Sequence, residues 1–299
     1  MHLPMGPAPD IPAHMDGFSR YHPMVNIIFY ITVLGLTMFQ MQMGMIVISF
    51  ICGAIYYFNL KGMSGIKYFG VIMAVFVVSS LINPVFSHRG ATLIFYMFTG
   101  NPVTLESVIY GICAALLISS AFLWFATFNQ VISEDKIMAV LGKVMPHVAL
   151  LITMVARFVP KYIRQQKNVR QAGNDLGEKP DRFMKKIKKS GEVFSITMTW
   201  ALETSVETAD SMRARGYGAT KRSNYNNYRI SGRDFVAIIW IMSLFLMICF
   251  ALFLGKANTY YYPYIRIRNS VPVYLMYGML CLTPVVINVK EAAVWHRLK

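Results

Sequence analysis

Two arginines near the end of a long basic region are the side chains of this sequence best suited to binding an acidic group. They lie in the stretch ADSMRARGYG, residues 209–218, where Arg213 and Arg215 precede two glycines. A guanidinium offers a planar fork of donors that matches a carboxylate, so an arginine at a helix end suits an acidic pocket on another protein. Asp210 can pair with Arg213 three residues later, which leaves Arg215 for such a contact. The alternative is a purely structural arginine that complements the helix dipole.

Residues that usually carry catalysis or hold metals are scattered along the chain. The six histidines have no cysteine or acid at ligand spacing, and the four cysteines lie in apolar runs. Neither a GxxxxGK[ST] phosphate loop nor a GxSxG nucleophile motif occurs. We therefore expect a protein that is not an enzyme and has no cofactor and no metal centre.

Composition indicates a membrane protein. Of 299 residues, 56% are hydrophobic and 14% are charged, whereas soluble domains average roughly one quarter charged. Six apolar stretches approach the about 20 residues that a spanning helix needs; they cover residues 25–39, 43–58, 68–86, 107–128, 235–254 and 271–289. A shorter apolar stretch, residues 91–98, is expected to be re-entrant or interfacial. The predicted fold is all-α, with about six transmembrane helices.

The distribution of positive charge predicts how the chain is oriented. The net charge is +15, and 19 of the 29 Lys and Arg residues lie within residues 131–233. Lys and Arg near membrane ends mark the cytoplasmic side, so we expect a cytoplasmic region there and both termini in the cytoplasm. The predicted order is a cytoplasmic segment, four spans, the basic region, and two final spans with a cytoplasmic end; these parts cover residues 1–24, 25–130, 131–233 and 234–299. Such a charge pattern disfavours a nucleic-acid partner.

The basic region is expected to contain two long helices. The first becomes amphipathic from residue 161 and stops at Gly173 and Asn174, with Pro146 and Pro160 as starts or kinks. A polar, turn-rich linker follows, and its lysines either rest on anionic lipid headgroups or belong to a solvated turn; they are Lys185, Lys186, Lys188 and Lys189.

The second helix is predicted over residues 192–215 and ends at Gly216, because glycine adopts the left-handed conformation freely. Small residues give it a slim side on which another helix can cross closely, as in membrane helix packing. These helix-crossing residues are Ala201, Thr204, Ser205 and Thr208. The alternative is an ordinary surface helix.

Four stretches together resemble the transmembrane T component of energy-coupling factor (ECF) transporters, the family that includes the cobalt-transporter Q proteins. In chain order they read RYHPMVNIIFY, NPVFSHRGATLIFYMFTGNPVTLES, ARFVPKYIRQQK and ADSMRARGYG. The last contains the family's Ala-Arg-Gly motif as Ala214, Arg215 and Gly216. The resemblance covers most of the chain.

The resemblance implies a non-catalytic scaffold of a prokaryotic plasma-membrane importer for a micronutrient, a vitamin or a transition-metal ion. Two cytoplasmic ABC-type ATPases would bind two crossed coupling helices. A small membrane-embedded substrate-binding subunit would bind the membrane face. The motif around Arg215, with its neighbour Arg213, would make one of the two ATPase contacts.

The chain departs from the family at the end of the first coupling helix, where a second Ala-Arg-Gly motif is expected. The sequence at this place is VRQAGND, and Gly173 is expected to end the helix there. Either Arg170 makes the contact with the ATPase, or Gln171 takes its place with a neutral side chain. This position therefore stays open between the two residues.

Two other functions remain as alternatives. A self-contained permease would need a continuous polar path through the spans. A membrane enzyme acting on lipid would need acidic or histidine side chains that converge within the membrane.

Overall fold

The protein is dominated by helices in the computed structural model, which describes residues 17–86, 90, 92–96, 102–175, 183–219, 228, 230–255, 258–260, 266–268 and 270–298. Residues 1–16, most of the expected N-terminal segment, lie outside the described residues. The helices are α1 Pro23–Phe39, α2 Met43–Lys61, α3 Ile66–Phe86, α4 Leu105–Val131, α5 Glu134–Val144, α6 Pro146–Asp175, α7 Phe183–Ala214, α8 Gly232–Phe253 and α9 Val271–Leu298. The expectation of a helical fold is confirmed.

The chain divides into two compact units. One comprises Met1–Lys136 and Tyr228–Lys299 and therefore contains α1–α4, α8 and α9. The other comprises Ile137–Asn227 and contains α6 and α7.

Four helical stretches of the first unit are long and apolar enough to cross a membrane. They are Met43–Phe86, Leu105–Val131, Gly232–Phe253 and Val271–Glu291. Helix α1 is also apolar, but it has 17 residues. These stretches fit the expected membrane protein.

The longest of these stretches is a helical hairpin. A 3-10 turn, Gly62–Gly65, interrupts it, and Gly62 has a left-handed φ of 56°. Past this turn the ring of Phe69 lies 6.5 Å from that of Phe50 and 5.0 Å from that of Phe58. A straight helix would hold Phe50 and Phe69 nearly 30 Å apart at about 1.5 Å per residue, so α3 folds back along α2.

A buried network of polar side chains joins four helices at the centre of the first unit. The indole N–H of Trp124 donates to the hydroxyl of Ser49 at 2.9 Å. The Thr37 hydroxyl lies 3.2 Å from that of Ser49 and 2.5 Å from that of Tyr277. These four residues come from α4, α2, α1 and α9. Because buried polar groups are costly when unpaired, the network fixes how the helices pack.

The segment before α1 is held by hydrogen bonds to two other parts of the unit. The ammonium of Lys136, which is 8% exposed, donates to the carbonyl oxygens of Ser19 and Val131 at 2.7 Å each. The backbone N–H of His22 donates to the carboxylate of Asp234 at 3.1 Å. The start of the basic region is thus tied to the N-terminal end of α1.

Two short antiparallel hairpins depart from the all-α prediction. Strand β1, Leu93–Tyr96, pairs with β2, Pro102–Thr104, and β3, Asn258–Tyr260, pairs with β4, Arg266–Arg268. The first hairpin includes part of residues 91–98, the stretch expected to be re-entrant or interfacial; residues 91 and 97–101 lie outside the described part. Aromatic and branched residues favour strand pairing where a run is too short to span the membrane.

The boundaries of the second unit's helices were predicted in part. Helix α6 ends at Asp175, within two residues of the expected stop, and continues through Pro160. Helix α7 begins at Phe183, nine residues before the predicted start, so much of the expected linker is helical. Met, Lys and Ile in this segment are compatible with a helix. The internal Gly191 costs about 1 kcal/mol relative to alanine, which is too little to interrupt it.

Candidate functional site

The C-terminal end of α7 is closed by a complete Schellman motif. Gly216 has a φ of 82°, its N–H donates to the carbonyl of Arg213 at 2.9 Å, and the N–H of Tyr217 donates to the carbonyl of Met212 at 3.0 Å. This pair of bonds satisfies carbonyl groups that a helix end leaves unpaired, and glycine accepts the conformation without strain. The predicted stop at Gly216 is confirmed.

The guanidinium of Arg215 is presented to solvent at this helix end. Ala214, Arg215 and Gly216 are all exposed. The carboxylate of Asp210 lies 4.0 Å from the Arg213 guanidinium, as predicted, in a strongly exposed pair of small energetic value. Arg215 makes no ion pair or side-chain hydrogen bond with any residue that the structure describes, so its five N–H donors face outward.

The end of α6 lies against the beginning of α7. A Cβ at Gly173 would lie 3.4 Å from Cε of Lys189, so the absence of a side chain there lets the lysine lie close to α6. The Lys189 ammonium donates to the side-chain oxygen of Asn174 at 3.1 Å. Arg170 and Gln171, the alternative contacts, are both exposed one turn earlier. The position of these two residues does not decide between them.

A cavity of about 570 Å³ opens between these helix ends, and we call it the basic cavity. Four cationic side chains border it, two from each helix: Lys167, Arg170, Lys186 and Lys189. No acidic residue is among the described residues that line it. The predicted lysine cluster is thus divided, because Lys186 and Lys189 border the cavity and Lys188 does not.

Aromatic contacts hold α6 and α7 together further along. The ring of Tyr162 meets that of Trp200 edge to face at 5.7 Å, and the Lys161 ammonium lies 4.8 Å above the indole. The quadrupole of an aromatic ring favours both an edge-to-face contact with another ring and a cation above its face. Sequence reasoning missed this pairing, although an isolated tryptophan in a helix rich in small residues could have suggested it.

The predicted crossing residues follow directly after Trp200. Ala201, Thr204 and Thr208 are half-buried and Ser205 is exposed. The hydroxyls of Thr204 and Thr208 donate to carbonyls four residues earlier in α7, at 2.8 and 2.7 Å. The threonines therefore satisfy their polar groups within the helix and leave a narrow surface. Crossing through this surface stays a prediction.

Side chains that could bind a metal do not cluster in the described part of the chain. No set of three His, Cys, Asp or Glu side chains there could hold a metal ion. The buried carboxylate of Glu106 accepts from the N–H and hydroxyl of Thr92 at 3.2 and 2.8 Å, which fixes the first hairpin to α4.

Comparison with known proteins finds a similarity over part of the chain. No family model matches the chain. An uncharacterized protein of Mycoplasma genitalium is similar to it, with 30% identity over 105 residues. The match covers 34% of this chain and 25% of the relative, so the similar part is about a quarter of the relative's length. This similarity indicates neither an activity nor a partner for the chain.

Proposed function

We propose that this chain is the transmembrane scaffold subunit of an ECF-type importer, which passes the movement of two cytoplasmic ABC-type ATPases to a membrane-embedded substrate-binding subunit. The observation that carries the proposal is Arg215. Its guanidinium lies on a well-formed helix end, exposed, with no partner among the described residues. An exposed charge at a helix end contributes at most about 1 kcal/mol to folding stability. Contact with an acidic groove on a soluble partner therefore explains this arginine better than folding does.

Within this proposal the chain crosses the membrane six times. The 44-residue stretch Met43–Phe86 would measure about 66 Å if straight, which is more than twice the roughly 30 Å of a bilayer core. Its hairpin at Gly62 supports two crossings there. Helix α1, at 17 residues, is at the lower limit of about 17 residues for a span and supplies the sixth.

The basic region would lie in the cytoplasm of a prokaryotic cell, together with both termini. The charge distribution supports this orientation, because 19 of the 29 Lys and Arg residues fall within residues 131–233. The coupling residues would then be on the side where ATPases reside.

Helix α7 would act as a lever. Its 32 residues span about 48 Å, and its only glycine lies near its N-terminal end. Closure of the ATPases on ATP would move Arg215 and Gly216 as part of a rigid helix, and α6 would move with it through the contact of Trp200 and Tyr162. ATP hydrolysis belongs to the partners, and the substrate-binding subunit selects the solute, a vitamin or a transition-metal ion.

Co-purification tests the assembly. A tagged chain extracted with a mild detergent should bring down two ATPase subunits and one small hydrophobic protein. Recovery of the chain alone, from cells that express the neighbouring genes, would count against the scaffold function.

Charge reversal at the helix end tests the contact. Arg215→Glu should lower ATPase association at least about tenfold, because a mismatched buried charge costs 2–5 kcal/mol or more at an interface. The matched control is Lys188→Glu, an exposed lysine of the same helix, 27 residues away, which should leave association unchanged. Both variants should keep the thermal stability of the unaltered protein. Normal association by the Arg215 variant would refute its role.

A further inference from the structure

We propose that the basic cavity binds the phosphate of an anionic phospholipid headgroup, with the acyl chains lying along α6. This inference does not depend on the ATPase contact proposed for Arg215, since the cavity lies at the N-terminal end of α7 and Arg215 lies at the other end.

The positive charges that border the cavity favour binding of an anion. Lys167 and Arg170 approach from α6, and Lys186 and Lys189 approach from α7. Lys167, Arg170 and Lys186 have no ion pair with a described residue, so their like charges around one space repel one another without a described acid to offset them. A phosphate can accept hydrogen bonds from all of them, and the Arg170 guanidinium can hold two of its oxygens at once.

The helix that supplies two of the lysines adds to this preference. Helix α7 begins at Phe183, so Lys186 and Lys189 lie in its first two turns. The N–H groups at a helix start carry a partial positive charge that favours anions nearby. The hydroxyl of Ser190, which also borders the cavity, is a further donor.

An exposed apolar stripe on α6 indicates that the phosphate belongs to a lipid. Leu151, Val155, Val159 and Ile163 follow one another at intervals of four residues and are 46–62% exposed. Residues four apart share one side of a helix, so this row forms a continuous surface. Ile163 itself borders the cavity, and the next position in the row is Lys167. The apolar stripe therefore leads directly into the cationic space.

Helix α7 presents a similar surface. Phe194, Met198, Leu202 and Val206 also recur every four residues and are 50–61% exposed. Rows of large apolar side chains beside lysines and arginines are typical of helices that lie in the membrane interface, where acyl chains cover the apolar side and headgroups meet the cations. A free phosphate would use the cavity and leave both rows uncovered, which is why we assign the site to a lipid.

Titration of the purified full-length protein with short-chain lipids tests the site. In a zwitterionic detergent, dioctanoyl phosphatidylglycerol should bind saturably, whereas dioctanoyl phosphatidylcholine should not. The cavity variant Lys167→Gln, Arg170→Gln, Lys186→Gln should weaken binding by about tenfold or more, since each cation near an anionic lipid contributes substantially. Lys189 is left in place because it bonds to Asn174.

A second triple variant serves as the matched control. Arg157→Gln, Arg164→Gln, Lys188→Gln removes the same charge from exposed positions of the same two helices that do not border the cavity. It should weaken binding clearly less than the cavity variant, because side chains that do not border the cavity cannot bond directly to a phosphate in it. Equal losses in the two triple variants would mean general attraction to a basic surface and would overturn the proposal.

Two further measurements separate a lipid from a free anion. Val155→Ser with Val159→Ser keeps every charge but should weaken phosphatidylglycerol binding, because it removes apolar contact with the acyl chains. Inorganic phosphate should compete only at far higher concentration than the lipid. Competition by phosphate at the concentration of the lipid, or full affinity in the serine variant, would show a free-anion site and refute the lipid assignment.

Discussion

Replacement of Ser49 by alanine is expected to destabilise the first unit, because one buried hydrogen-bond donor loses its acceptor. The Ser49 hydroxyl accepts the indole N–H of Trp124 at 2.9 Å, and Trp124 is fully buried. Thr37 would lose its contact of 3.2 Å with Ser49 but would keep its bonds to the Val33 carbonyl at 2.6 Å and to the Tyr277 hydroxyl. The change therefore leaves one buried N–H without an acceptor.

The loss of stability can be estimated from this one unpaired N–H group. An unpaired buried donor costs about 1–3 kcal/mol in water-soluble proteins, while measured side-chain hydrogen bonds between membrane helices average about 0.6 and reach about 1.7 kcal/mol. We expect Ser49→Ala to lower the free energy of unfolding by about 1–2 kcal/mol. Titration of the full-length protein in mixed micelles with dodecyl sulfate, followed by far-ultraviolet circular dichroism, measures this quantity.

Ser119→Ala is the matched control. Ser119 is also fully buried in a helix of the same unit, but its hydroxyl has no hydrogen-bond partner among the described residues. Its removal should be neutral or slightly stabilising, because no bond is lost. A double-mutant cycle with Trp124→Phe should show that the loss from Ser49→Ala disappears once the donor is gone. Equal losses in the two serine variants, or full additivity in the cycle, would refute the reasoning.

Two further substitutions test packing and the buried lysine. Gly111→Ala should cost about 1–3 kcal/mol of unfolding free energy in the same assay, because the new Cβ would lie 3.0 Å from the Ser80 carbonyl oxygen; Gly70→Ala, with nothing within 4 Å, should be harmless. Lys136→Met should lose about 1–3 kcal/mol, because the Ser19 and Val131 carbonyls lose their ammonium donor. Lys143→Met, at an exposed position of the same helix, should stay within about 0.5 kcal/mol. A loss in either control as large as in its partner would contradict the explanation.

Local signals in the sequence were sufficient for the features that depend on neighbours along the chain. Gly216 marks the end of α7 because a left-handed residue is needed one position past the helix, and glycine meets that need wherever the helix lies. The pairing of Asp210 with Arg213 follows equally from helical spacing. The break between α2 and α3 could be placed near Lys61 because a short polar interval separates two apolar runs.

Features that depend on distant parts of the chain could not be predicted. The strand Leu93–Tyr96 is defined by its pairing with Pro102–Thr104, and its four apolar residues suit a helix or a strand equally. The early start of α7 was hidden by Gly191, which indicates a turn from the sequence alone. The basic cavity requires Arg170 and Lys186 to border one space, and only the packing of α6 against α7 brings them there.

If both proposals hold, the two ends of α7 carry positive charge for different purposes, and their separation gives the helix a mechanical role. From Lys186 to Arg215 a helix at about 1.5 Å per residue extends roughly 44 Å. If the first end is held by a lipid headgroup and the second by an ATPase, a displacement applied at Arg215 turns the helix about the anchored end. The motion is then largest at the ATPase, falls towards the cavity, and is shared with α6 at Trp200, near the midpoint. On this reasoning a Lys167→Gln, Lys186→Gln variant, which leaves Arg170 in place, should keep ATPase binding but lose part of the coupling between hydrolysis and uptake, whereas Arg215→Glu should lose both.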